Sequence, residues 1–541
     1  MKIKIILILI IILAAVLRLW NLNNYPAGLN ADEAAIGYNA FSLLQTGKDE
    51  YGTLFPLAFK SFGDYKPGLY FYTVIPFIAI FDLNEWVVRL PSAIFGILTV
   101  ILIYFLGKEI FKNKCVGLLS GFLLAISPWH LHFSRGGWET NMATFFITLG
   151  IYLFIKGKNN YQILFWSIIS FLISMYAYQS PRLIVPVLTV CLLVFYKNNL
   201  MEIIKKIEIK KRIFLSLLLL ILSIPLILQF TSGEGNARFD GLSFLSDTGP
   251  ASRVNELRGE HNNLNSFEGK IIHNKLTAYG SSFLSHYLDH FRPDFLFIRG
   301  DPLVRNKVPE TGQFYLIEAL FLIIGLLALI KIRFEHSKLL IAWILISPLA
   351  SSMTYQTPHA LRALSMVIPL TLLMGYGIFS LWYMVYGLRK KIVIGIIMIM
   401  LLFEFVHYLE SYYIHYPKRY SEAWEYGFKE MVKKLEKYEP LYNNVVITDR
   451  YDQPYILVLF YKKYDPKKYQ PQAILSPRDK FNFGTVREFD KFEFRPILAM
   501  EISKSENTLF VGTDQEIPKN ANIIDKVMYP NGEPAFIFAH K

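Results

Sequence analysis

The sequence predicts an α-helical polytopic membrane protein with a small α/β domain outside the membrane at its C-terminal end. Three observations carry that prediction. The chain is 53% hydrophobic and only 18% charged, with a mean hydropathy of +0.33. Its apolar residues fall in blocks long enough to cross a bilayer. Its basic residues cluster in alternate loops, as the positive-inside rule requires.

The elements follow in order. Lys2 and Lys4 precede an apolar run to Val16 that continues into Leu17-Arg18-Leu19-Trp20. An interfacial Arg and Trp, with no small-x-small cleavage site, make this an uncleaved first span rather than a signal peptide. Residues 21–85 are rich in Pro, Gly and Tyr. Pro67, Gly68 and Pro76 make the apolar run ending near Phe81 a set of juxtamembrane or re-entrant helices. Spans are then predicted at 86–107, 115–133, 141–156, 161–180, 181–196, 213–230, 314–330, 338–354, 363–386 and 392–409, about eleven with the first.

The loop charges set the orientation. Lys108, Lys112 and Lys114, then Lys156 and Lys158, fall on the side of Lys2 and Lys4. So do the cluster from Lys197 to Arg212, the group Lys331, Arg333 and Lys338, and Arg389 to Lys391. The N-terminus is therefore expected in the cytoplasm of a plasma or inner membrane. The opposite side receives residues 21–85, the turn at 134–140, the loop 231–313, the stretch Tyr355 to Arg362 and everything after about 410. In that tail Ser421 to Tyr438 reads as an amphipathic helix. Val445–Thr448, Thr508–Val511 and Ala535–Phe538 read as strands. The expected domains are 1–410 in the membrane and 411–541 outside it.

Net charge +13 would suit a nucleic-acid binder, but much of it sits in short clusters between apolar blocks, so no nucleic-acid partner is expected. Cys115 and Cys191 lie far apart in apolar segments and imply neither a disulfide framework nor a metal cluster. An aromatic content of 16% suits interfacial belts and a sugar or lipid site.

The chain is organised around Asn30-Ala-Asp-Glu-Ala-Ala-Ile-Gly-Tyr38. Asn30 is a helix N-cap candidate, which places Asp32 and Glu33 in the first turn, where the helix dipole favours negative charge. Asp64, Lys66, Arg89, Arg135, Glu139, Arg182, His359 and Arg362 collect near the same membrane face. Taken singly, each Arg or Lys is as readily a snorkelling side chain, and His359 a structural hydrogen-bonding group. Grouped, acids and cations suit an enzyme that activates a hydroxyl and stabilises a departing phosphate.

Four pieces in this order resemble the opening of the GT-C glycosyltransferases of family 39: Leu19-Trp20, Ala31-Asp-Glu33, Tyr65-Lys-Pro-Gly-Leu-Tyr70, and Val88-Arg-Leu-Pro-Ser92 followed by Gly96. That group includes protein O-mannosyltransferases and the lipid A aminoarabinose transferase. Ser127-Pro128, Ser134-Arg135 and Glu139 resemble the family's second acidic segment, where Asp is more usual. Lys66-Pro67-Gly68 departs from the Lys-Pro-Pro of the aminoarabinose enzymes.

The resemblance implies a GT-C fold over residues 1–410 and a sugar donor linked to polyprenyl phosphate. The acceptor is an extracytoplasmic hydroxyl of a protein, lipid or glycan, and displacement inverts the anomeric carbon. Asp32 would be the general base. Glu33 would orient the acceptor or cap the helix, and Glu139 would raise the pKa of one of these acids. Lys66 matches the family motif as the ligand of the departing phosphate, with Arg89, His359 and Arg362 added on position and chemistry. Tyr65, Tyr70, Arg135 and Arg182 are the candidate substrate-binding residues. Arg299, Asp301 and Arg305 either shape the site or form a salt bridge within their loop.

No cofactor or metal is required on this reading, since residues 1–410 contain no Asp-x-Asp. A divalent ion on Asp32, Glu33 and Glu139 is the alternative. No Gly-rich phosphate loop supports a nucleotide-sugar donor. The competing class is a transporter, flippase or non-catalytic binder of polyprenyl-linked sugars. The lack of an internal repeat, and charges gathered at one face, count against it.

Overall fold

The computed structural model describes residues 2–231, 247–261, 266–331, 335–477 and 484–541. Arg333 and residues 232–246 of the long loop lie outside them. The chain forms two compact units. One comprises Met1–Leu17, Phe95–Phe133 and Glu139–Tyr408, and the other Arg18–Ile94, Ser134–Trp138 and Leu409–Lys541.

Every predicted span overlaps helix, although stretches within them, 178–180, 314–317 and 347–348 included, are not helical. The helices on which the predicted spans and the site rest are, in chain order, α1 (Lys2–Leu19), α2 (Ala31–Thr46), α3 (Leu69–Phe81), α4 (Glu85–Phe111), α5 (Lys114–Ile126), α6 (Pro128–Ser134) and α7 (Glu139–Gly157). There follow α8 (Tyr161–Ala177), α9 (Pro181–Phe195), α10 (Lys197–Lys206), α11 (Ile209–Thr231), α12 (Glu318–Lys331), α13 (Ser337–Ile346), α14 (Val367–Met384) and α15 (Gly387–Glu410). Among the described residues, 5 helices are by themselves long and apolar enough to cross a membrane, or up to 7 if each bent pair is one span. The bends are 59° between α5 and α6 and 85° between α9 and α10. Pro128 opens α6 and cannot continue the hydrogen-bond ladder of α5. The remaining predicted spans are short, or carry charges at their ends as α1 does with Lys2, Lys4 and Arg18.

Within the first unit the helices divide by environment. The apolar windows of α7 and of Leu364–Met384 are 67% and 78% buried, whereas those of Ile209–Gln229 and of the span beginning at Gly387 are 11% buried. The exposed Ile213, Phe214, Leu217, Ile399 and Phe403 are what lipid-facing helices require. Apolar burial against lipid gives helices no reason to associate, so close backbone contact must hold them. Gly377 of α14 and Gly325 of α12 supply it. A Cβ at Gly377 would lie 1.9 Å from the Phe321 carbonyl oxygen, and one at Gly325 would lie 2.2 Å from that of Leu373.

The second unit gathers the segments at 18–94 and 134–138 with the C-terminal portion. Strand β1 (Ala58–Ser61) pairs antiparallel with β2 (Asp64–Pro67) across Phe62 and Gly63, which have φ of 54° and 82°. Both turn residues in the left-handed region match the twist of a tight hairpin. The reading of residues 21–85 contained no hairpin, because Phe62 occupies the position where Asn or Gly would announce the turn.

The C-terminal sheet comprises β3 (Asn444–Ile447), β4 (Glu488–Phe489), β5 (Phe492–Phe494), β6 (Thr508–Gly512), β7 (Asn522–Met528) and β8 (Pro534–His540), in the order β4-β5-β3-β6-β8-β7. The three predicted strands correspond to β3, β6 and β8. β3 runs parallel to both neighbours, β5 and β6. Such central strands are buried on both faces and so read as continuous apolar runs. Val446, Phe510, Ile517 and Ile537 form part of that core. The helix expected over Ser421–Tyr438 is broken instead. A short turn at Ser421–Trp424 is followed by Glu425 with φ 45° and Gly427 with φ 99°, and the helix proper, α16, is Phe428–Tyr438.

Helix α2 is clamped in this unit. A Cβ at Gly37 would meet a Phe460 ring carbon at 2.4 Å, from α17 (Pro454–Lys462), and a Val88 methyl at 2.8 Å, from α4. Gly377→Ala is expected to lower the thermal unfolding midpoint in detergent by several degrees, since the new methyl meets backbone and overpacking costs about 1–3 kcal/mol. Gly395→Ala, whose Cβ would meet nothing within 4 Å, is the control that should not shift it.

Candidate active site

The N-terminus of α2 places the two adjacent acids in different surroundings. Asn30 caps the helix, its side chain accepting from the Glu33 N–H, while Glu33 closes a reciprocal capping box. Successive helical residues point about 100° apart, so one acid turns inward and the other does not. Asp32 is 35% exposed on its side chain and forms an ion pair with Lys66, itself 11% exposed. Lys66 arrives from β2, where it stands opposite Phe59 in the register, and its ammonium lies 5.4 Å from the centre of the Phe62 ring.

Glu33 is fully enclosed. Its Oε1 accepts from Arg89 Nε at 2.9 Å and from the Gly137 N–H at 2.7 Å. Its Oε2 accepts from Arg89 Nη2 at 3.1 Å and from the Asn30 side chain at 3.1 Å. A carboxylate offers about four lone-pair sites, and all are occupied. Glu33 therefore caps the helix rather than orienting an acceptor.

Arg89 corrects the sequence expectation more sharply. Besides Glu33, it donates to the carbonyls of Leu22 and Pro26, each at 3.1 Å, and of Gly28. Five N–H groups meet five acceptors in a side chain with no exposed surface, so none is left for a phosphate. Arg135 is also buried and donates to Tyr412 Oη at 3.1 Å and to the carbonyls of Trp20 at 2.8 Å and Tyr25 at 3.2 Å. Its guanidinium faces the rings of Tyr412 and Tyr413. It joins segments of the unit where substrate contact was expected. Tyr70 is another interior group: its hydroxyl donates to the Val88 carbonyl at 2.9 Å and accepts the Ser92 N–H at 3.2 Å. Tyr65, next to Lys66, is partly exposed.

A second acid in this unit escaped sequence reasoning. Glu50 is buried, with Asn39 Nδ2 donating to it at 3.0 Å and Tyr455 Oη at 3.5 Å. Asn39 lies two helical turns along α2 from Asp32, so both occupy one face. Burial pushes the Glu50 carboxyl up to about 8, against the smaller opposing effects of Asn39, Tyr455 and the Lys66 charge. The signal was available in the sequence: Asp49-Glu50 repeats the dipeptide of Asp32-Glu33 within one polar segment.

The other candidates belong to the first unit. Glu139 is the opening residue of α7 and is largely buried. Arg182 donates to the Met175 carbonyl at 3.1 Å and to Gln229 at 2.7 Å, and Arg362 donates to Thr354 at 2.8 Å. His359 sits 3.9 Å from Asp301, and its N–H donates to His290 Nε2 at 3.2 Å. Asp301 binds the N–H groups of Leu303 at 2.8 Å and Ala360 at 2.5 Å. It therefore ties the long loop to the stretch around His359. Arg299 forms a loop salt bridge with Asp294 at 3.5 Å, and Arg305 offers its carbonyl to His132 at 2.8 Å. Among the described residues no group of three or more His, Cys, Asp or Glu is placed to hold a metal ion.

Among the described residues the chain combines several long apolar helices with an acid–lysine pair at the start of α2. Residues 8–233, less than half of the chain, match the family described as dolichyl-phosphate-mannose-protein mannosyltransferase. The crystal structure of ArnT from Cupriavidus metallidurans bound to undecaprenyl phosphate is similar in fold. Its TM-score is 0.57 at 10% identity, over 98% of this chain and 97% of that one. The oligosaccharyltransferase of Archaeoglobus fulgidus, tethered with an acceptor peptide, matches with a TM-score of 0.51 at 12% identity, over 85% of this chain and 63% of that one. Among curated proteins compared by sequence, none matches.

Three predictions follow from these acids and from Arg89. Arg89→Ala is expected to destabilise the protein by about 3–5 kcal/mol, because it strands the enclosed Glu33 charge. Asp32→Asn, at a partly exposed pair, is expected to change stability by less than about 1 kcal/mol. Thermal unfolding of the two variants side by side checks both. For Glu50, the folded chain retains a proton that the unfolded chain releases. Its contribution to stability is thus fully present below about pH 4.5 and lost as pH rises through about 8. Glu50→Gln is expected to leave the unfolding midpoint nearly unchanged at pH 4 and to raise it at pH 9.

Proposed function

We propose that the chain transfers a sugar from a polyprenyl-phosphate carrier to a hydroxyl on the extracytoplasmic side, with inversion at the anomeric carbon. The observation that carries this reading is the contrast between the adjacent acids. Asp32 is accessible and bound to Lys66, whereas Glu33 is enclosed with both oxygens engaged. An accessible carboxylate with a cation beside it supplies the two functions the displacement needs.

The acceptor oxygen attacks the anomeric carbon as the bond from that carbon to the phosphate oxygen breaks. The acceptor proton passes to an Asp32 carboxylate oxygen, and polyprenyl phosphate departs with the bonding electrons. Lys66 exchanges its ion pair with Asp32 for the phosphate, whose charge grows as the bond breaks. Release from Lys66 also makes Asp32 a stronger base at the moment it is needed. The ArnT structure that this fold resembles holds undecaprenyl phosphate, which supports a lipid-phosphate donor. Neither step needs a metal ion. The loop cations support a cytoplasmic N-terminus and a C-terminal portion on the opposite side.

The test uses the full chain in lipid with radiolabelled polyprenyl-phosphate sugars and a pool of protein, lipid and glycan acceptors. Asp32→Asn is expected to lose transfer by a factor of about 100 or more while still binding donor. Lys66→Ala is expected to lose kcat and to weaken donor binding together. Transfer by Asp32→Asn at the wild-type rate would overturn the assignment of the base.

A further inference from the structure

The loop between the first span and α2 forms a second feature, distinct from the Asp32–Lys66 pair. A cleft of about 830 Å³ opens beside it within the second unit. Asn21, Asn23 and Asn24 lie on one wall, with Tyr25, Ala27 and Gly28 continuing it. Tyr413 and Tyr426, with Tyr461, bring further aromatic groups, and Tyr25 meets Tyr413 edge-to-face at 5.0 Å.

The wall is rigid by construction. Arg89 and Arg135 hold the carbonyls of Trp20, Leu22, Tyr25, Pro26 and Gly28. Gly28 has φ 105°, and a Cβ there would lie 2.1 Å from the Trp424 carbonyl oxygen, so the opposite loop is locked against it. That opposite loop holds Glu425, a non-glycine residue at φ 45°. Backbone strain of this kind persists where the surrounding structure enforces it, and it concentrates at ligand sites.

The lining specifies the chemistry of an occupant. Aliphatic side chains are few, chiefly Ile414, Pro417 and Pro530, and charged and amide groups are interspersed among them, which disfavours a lipid tail. Lys429 is neutralised by Glu85 at 2.9 Å, and Lys418 and Lys433 share the cleft with Glu425 and Glu430, which disfavours a polyanion. Side-chain amides pair with neighbouring hydroxyls, and tyrosine rings cover apolar C–H faces while their hydroxyls stay hydrated. A ligand that is neutral, hydroxyl-edged and apolar on its faces is a saccharide. Gly28 is four residues from Asp32, at most about 14 Å of chain.

We propose that this cleft is a saccharide-binding subsite that holds the non-reacting part of a neutral glycan acceptor. Its role in transfer rests on the reading of Asp32 given above, but saccharide binding itself does not.

The test measures binding of mannotetraose, N-acetylchitotetraose and maltotetraose to the full chain in nanodiscs by titration calorimetry, with inorganic phosphate as the ionic comparison. At least one tetrasaccharide is expected to bind saturably, and phosphate is not expected to displace it. Tyr426→Ala is expected to weaken that binding about tenfold, as loss of one stacked ring would. Asn23→Ala, at an exposed position where folding is not at stake, is expected to weaken it as well. Asp32→Asn should bind like the wild type. The proposal is overturned if no tetrasaccharide binds, if both cleft variants bind as tightly as the wild type, or if phosphate competes. Saccharide binding without sugar transfer by the wild type would instead count against the proposed reaction alone.

Discussion

The second unit depends on two guanidinium groups taken out of water. A buried cation is tolerated only when its charge is met and its N–H groups are satisfied. Arg89 achieves this with the Glu33 carboxylate and three carbonyls. Arg135 draws on two carbonyls, the Tyr412 hydroxyl and two tyrosine faces. Between them they fix the backbone of residues 20–28, a segment with no regular structure to fix it otherwise. The position of the α2 N-terminus follows from that, because the same Glu33 that meets Arg89 also closes the helix cap.

The consequence for chemistry is a division of labour between neighbours in sequence. Glu33 spends its charge on architecture and is inaccessible. Asp32, about 100° around the helix, meets Lys66 from a hairpin and keeps an exposed surface. Glycine at 137 belongs to the same arrangement: a Cβ there would lie 3.0 Å from a Val88 methyl and 3.3 Å from Glu33 Cγ. The bare backbone can therefore bring its N–H to the Glu33 carboxylate. Behind this pair, Glu50 is held by Asn39 and Tyr455 as a largely protonated acid at neutral pH, so it adds little negative charge beside Lys66.

The first unit is built on a different constraint. Its helices are apolar all round wherever they meet lipid, so contact is decided by small residues rather than by hydrophobic stripes. Gly325, Gly375 and Gly377 bring α12 and α5 against α14 at backbone distance. Here the sequence shows where helices are and not which of them touch.

Much of the outline was legible along the chain. Apolar block length located the long apolar helices among the described residues, Asn30 marked the cap of α2, and three apolar runs located central strands of the C-terminal sheet. These are local properties, set by periodicity, capping and propensity within a few residues. The assignments that needed tertiary structure concern long side chains. Arg89, Arg135 and Tyr70 belong to the same series of motifs as Lys66, and composition alone could not separate interior from accessible. Which cation is free to meet a substrate depends on which carbonyls fold within reach of it, and those lie tens to hundreds of residues away. The hairpin carrying Lys66 was hidden for a related reason: Phe62 is held in an unfavourable turn conformation by its surroundings, including the Tyr455 ring. The sequence by itself determined the spans, the capped acids and the kind of chemistry to expect. Only the packed structure decided which of two adjacent carboxylates is enclosed and which keeps an exposed surface, because burial and hydrogen bonding are properties of the assembled fold.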